Sequence, residues 1–126
     1  MEHEHSFLDW LRAIGAKPGM WLGRPSISHL QTFIVGYQVG HSCKDDTMVL
    51  DGFEFWVYHR YRHGGSMHWA QVILEQTGGD ETAAFRLFFD HFEEFLRERE
   101  RVGTPALKAR FMTMVEEMHR DDANAA

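Results

Sequence analysis

Residues 83–96 read AAFRLFFDHFEEFL, with phenylalanine at 85, 88, 89, 92 and 95 and Leu96 closing the row. Spacings of three and four place these side chains on one side of an α-helix, and a stripe this long and this apolar belongs inside a protein. It predicts a helix over about 80–101, capped by Asp80, at the centre of the fold.

The neighbouring segments carry the same period in weaker form. Phe7, Trp10, Leu11 and Ile14 follow Ser6, a candidate N-cap, and Gly15 is expected to stop this first helix. KPGMWLG then reads as a loop in which Met20, Trp21 and Leu22 plug the bundle between turns at Pro18-Gly19 and Gly23. Ser28 and Gln31 suggest a capping box for a second helix ending near Gly40, with Leu30, Phe33, Ile34 and Tyr37 inward. SCKDDT is a polar connection. Phe53, Trp56 and Val57 begin a third helix, which Gly64 and Gly65 break. Ser66 is the expected cap for a fourth helix, with Trp69, Val72, Ile73 and Gln76 facing inward. Gly103 ends the phenylalanine helix. Thr104 and Pro105 open the last one, whose apolar face is Leu107, Phe111, Met114, Val115 and Met118. The expected architecture is all-α: one domain over 1–120, a compact bundle of about six short helices, and a disordered tail at 121–126.

Chain-wide totals narrow the function. At 126 residues, 44% apolar and 25% charged, the chain suits one folded domain with its own core. A formal net charge of −6 argues against general nucleic-acid binding, which needs lysine and arginine to neutralise phosphates. With Cys43 the single cysteine, an internal disulfide and a multi-cysteine zinc site are both excluded. The start, MEHEHSFLDW, lacks the basic and apolar regions of a secretory signal, and no apolar run reaches the roughly 20 residues of a membrane span. A cytoplasmic location is expected.

Several groups invite chemistry. His59 and His63 are four apart, with His68 nearby, a spacing that suits metal only if all three share a face, and no HExxH motif accompanies them. The stretch WVYHRYRHGGSMHW mixes rings with cations, as single-strand binders do. Cys43 neighbours His41 in a polar loop, a weak basis for a nucleophile because triads converge from separate segments. The acidic residues divide into Asp45, Asp46, Asp51 and Glu54, and Asp90, Glu93 and Glu94. They read better as a docking face for a basic protein than as paired acids.

One resemblance adds to this. Pro18, Met20, Trp21 and Gly23, then Phe33, Gly36 and Tyr37, then Phe53, Trp56 and Val57, then Trp69, and finally Phe85, Phe88, Phe89 and Phe92 follow the order seen in small bacterial immunity proteins of polymorphic, contact-delivered toxin systems. The chain resembles that group over about residues 15–97, with Lys17 where arginine is usual and Trp21 where tyrosine is usual. The resemblance implies an antitoxin that occludes a cognate secreted toxin without catalysis, cofactor or metal. An acidic inhibitor suits a basic toxin such as a nuclease. The alternatives are a small helical enzyme or ligand-binding module with a pocket lined by histidines and acids, or a homodimer formed through Phe55 or Tyr58.

Overall fold

The structure, a computed structural model, describes residues 6–41 and 45–124, with the backbone alone at 45–47. Among these residues there is no strand. Seven helices follow in order: α1 (Phe7–Ala16), α2 (Pro18–Leu22), α3 (Ile27–Gly40), α4 (Phe53–Arg60), α5 (Trp69–Gln76), α6 (Glu81–Val102) and α7 (Thr104–Asn124). A 3-10 segment, Asp45–Leu50, leads into α4. The all-α bundle expected from the periodicity is the observed fold. The last helix runs to Asn124, into the segment expected as a tail, and its residues 121–124 are exposed.

Helix α6 is the axis, packing against α3, α4, α5 and α7. Its inward row is Ala84, Phe85, Phe88, His91, Phe92 and Phe95, while Phe89 and Leu96 are half-buried on the flank. Asp80 caps it as the sequence suggests, accepting from the Ala83 N–H at 3.0 Å. The rings of this row converge on Phe53, the first residue of α4. Its centroid lies 5.4 Å from Phe88, 5.2 Å from Phe95 and 5.1 Å from Trp69, all edge-on. Edge-to-face pairs set the positive ring edge against the negative face, which adds about 0.5–1.5 kcal/mol each to the burial itself.

The helix ends correct the sequence reading in three places. Helix α3 starts at Ser26, whose hydroxyl accepts from the His29 N–H, so the Ser28–Gln31 capping box does not form. Ser28 is instead bonded through its hydroxyl to both oxygens of Glu81 at the start of α6, and Ser26 donates to the same carboxylate. A cross-helix clip has replaced a local one. Helix α5 is capped by the His68 ring, which accepts from the Ala70 N–H at 3.1 Å, and not by Ser66. Gly15 does not stop α1. It lets α1 approach α6 so closely that a Cβ at that position would lie 2.9 Å from a ring carbon of Phe89.

Candidate functional site

Lys17 interrupts the chain after α1, and Pro18 then starts α2 at its first position, where a missing N–H costs nothing. Gly23, at φ +83°, ends α2 after five residues. A helix turns each residue about 100° from the last, so three consecutive side chains cannot face one way. Leu22 packs on the core, while Met20 is 70% exposed and Trp21 43% exposed. The plug expected from the sequence is therefore reduced to Leu22. Trp21 leans on the Trp10 ring of α1, edge to face at 5.2 Å, with exposed Lys17 and Arg24 to either side in sequence.

A second feature lies where α4, α6 and α7 meet. Trp56, His59 and Arg60 from α4, Glu94, Arg97, Glu98 and Arg101 from α6, and Leu107 and Arg110 from α7 enclose an open cleft of about 470 Å³. Arg60 lies over the Trp56 ring, 5.5 Å from its centroid, and pairs with Glu94 at 3.3 Å. Glu98 takes Arg101 and Arg110 at 2.7 Å each, and these hydrogen bonds, Arg101 first, pull its carboxyl down to about 2. The cleft continues past His59 and Arg110 into a groove that also includes Arg62 and Glu117. The small basic patch visible in the α4 sequence is thus enlarged by arginines from two other helices.

The acidic residues expected as a docking surface come from two stretches, 45–54 leading into α4 and 90–94 on α6. Asp45 and Asp46 belong to the 3-10 segment, and their side chains lie outside the described residues. Asp51 is exposed, and its carbonyl joins those of Met48 and Val49 in accepting from Arg99 at 2.8 to 3.2 Å. Glu54 lines a separate groove with Gln31, Val35 and His68. Asp90 is exposed, Glu93 is held by Arg12 at 3.3 Å, and Glu94 by Arg60.

The histidines separate as well. Helix α4 ends at Arg60, so His59 and His63 do not share a helical face, and His63 accepts instead from the Gly65 N–H. Among the described residues no group of three or more His, Cys, Asp or Glu is arranged to hold a metal. Cys43 lies outside the described residues. The aromatics considered for a homodimer are largely occupied: Tyr58 is buried and donates to the Met67 carbonyl at 2.7 Å, and Phe55 is half-buried against Phe111.

The sequence reading passed over His91, which is 4% exposed. Its Nε2 is hydrogen-bonded to the Tyr61 hydroxyl, its Nδ1 is buried without a hydrogen-bond partner among the described residues, and the Trp56 ring centroid lies 5.2 Å from its own. Burial first, and the nearby Arg60 second, lower the imidazole pKa, while burial raises that of the Tyr61 phenol. Periodicity did contain the signal, since 91 is 88 plus three and 95 minus four. His91 packs against Trp56, which lines the arginine cleft.

No helix among the described residues is long and apolar enough to cross a membrane. No known protein family, curated protein or solved structure matches the chain.

Proposed function

We propose that the chain is a cytoplasmic immunity protein that binds a toxin domain and neutralises it by occlusion, without catalysis. The observation that carries this reading is the exposed Met20–Trp21 step on α2. Leaving a tryptophan and a methionine in water forgoes burial worth roughly 1.5–3 kcal/mol for a large apolar side chain. Aromatic residues and methionine are also the types enriched at binding interfaces. Trp21 is steadied by Trp10, so little freedom is lost on docking. The ordered resemblance to immunity proteins over residues 15–97 supports the same class.

Co-purification and co-expression with the products of neighbouring genes test the proposal. A toxin is expected to bind and be silenced. Trp21→Ala is expected to leave the melting temperature nearly unchanged and to weaken binding by about thirtyfold, the effect of losing a 2 kcal/mol anchor. If no neighbouring product binds and none is detoxified, the reading fails. If Trp21→Ala lowers the melting temperature and leaves affinity intact, α2 is structural.

A further inference from the structure

The cleft between α4, α6 and α7 has a charge opposite to that of the chain. Four arginines and His59 line it against Glu94 and Glu98, in a protein of formal net charge −6. Three of the arginines already hold carboxylates: Arg60 holds Glu94, and Arg101 and Arg110 share Glu98. A guanidinium has five N–H donors, and Arg60 and Arg110 each spend one of them on their glutamate. Arg97 is exposed and has no hydrogen bond or ion pair among the described residues.

The geometry points to this cleft as the docking site for an acidic segment of the partner protein, whose carboxylates would bond to Arg97 and to the open donors of Arg60 and Arg110. This deepens the proposed function and rests on it. Carboxylate is the chemistry the arginines are seen to hold, and Trp56 and Leu107 supply apolar surface for the same segment to cover. A nucleic-acid strand fits less well. Charged at every nucleotide, it would meet Glu94, Glu98 and Glu117 wherever it met the arginines, on a protein whose overall field repels it. An acidic peptide can place its charges apart. The partner's overall charge is a separate matter, since a basic toxin with one acidic segment satisfies both the net charge and the cleft.

Titration of the full-length, isotope-labelled protein with an octaglutamate peptide, followed by NMR, is the test. Saturable shifts are expected at the Trp56 indole N–H and at Arg97, weakening with added salt. Octalysine is expected to give no saturable shift there. Arg97→Glu is expected to weaken octaglutamate binding by about tenfold or more at unchanged melting temperature. Arg97→Ala, a milder change at the same exposed position, should weaken it in the same direction. Absence of a saturable octaglutamate shift overturns the assignment. So does tighter binding of inorganic phosphate or oligothymidine, which would give the cleft to a phosphate ligand. If octaglutamate binds and no toxin is neutralised, the immunity reading falls and the cleft's chemistry stands. If a toxin is neutralised while octaglutamate does not bind, the cleft assignment falls alone.

Discussion

Single residues in this protein matter according to what their neighbours leave them. His91 shares a buried row with phenylalanines, yet it carries a polar edge with one satisfied nitrogen and one orphan. A neutral imidazole can donate from Nε2 to the Tyr61 oxygen and leave only a lone pair unpaired at Nδ1. Protonation would add a buried N–H with nowhere to point and a charge beside Arg60, opposed in part by Glu94 and Asp90. The native pKa is therefore held below 6.5, and the unfolded chain takes up the proton first as pH falls. The resulting contribution to stability is complete above about pH 6.5 and declines below it, toward the lowered native value. Urea unfolding at pH 7.5 and 5.5 checks this: the wild type is expected to lose more stability across that interval than His91→Gln, which bonds Tyr61 without titrating. Equal losses would mean that His91 is not the group responsible.

At the scale of elements, the helix boundaries are set by glycines and by side chains from elsewhere in the fold. Helix α4 starts from Gly52, at φ +89°, where a side chain would be strained. A Cβ there would also lie 3.1 Å from the Thr104 methyl of α7, so the turn is shaped by the helix it packs against. Gly52→Ala is expected to destabilise the fold by about 1–3 kcal/mol, combining left-handed backbone strain with crowding. A denaturant midpoint unchanged from wild type would show that both are relieved by local movement. The Ser26, Ser28 and Glu81 clip makes a related point. The Ser28 hydroxyl, which its local pattern assigns to a cap, is drawn to a carboxylate 53 residues away, while Ser26 caps α3.

For the whole molecule, cohesion runs through α6, which packs against α3, α4, α5 and α7, and through Phe53, on which rings of α5 and α6 converge. One continuous core implies one transition. Unfolding followed by tryptophan fluorescence and by far-ultraviolet circular dichroism is expected to give coincident curves; two separated midpoints would indicate that part of the bundle melts alone. Much of this architecture is legible in the chain. The phenylalanine spacing of α6, the Ser6 and Asp80 caps and the Phe53–Val57 period follow from local rules, because burial repeats with the helix and capping reaches only a few residues. The surface was far less legible. No local pattern groups arginines 60, 97, 101 and 110, spread over 51 positions, yet they line one cleft. Periodicity says which side of a helix faces inward, but the neighbours of its outer side depend on how helices cross. The amino-acid sequence by itself determined the helices other than α2, whose residues read as a loop, and the phenylalanine row of the central one. The tertiary structure alone decided that Trp21 faces water, that His91 meets Tyr61, and that three helices pool their arginines. Those outcomes depend on contacts between residues far apart in the chain, which no local period encodes.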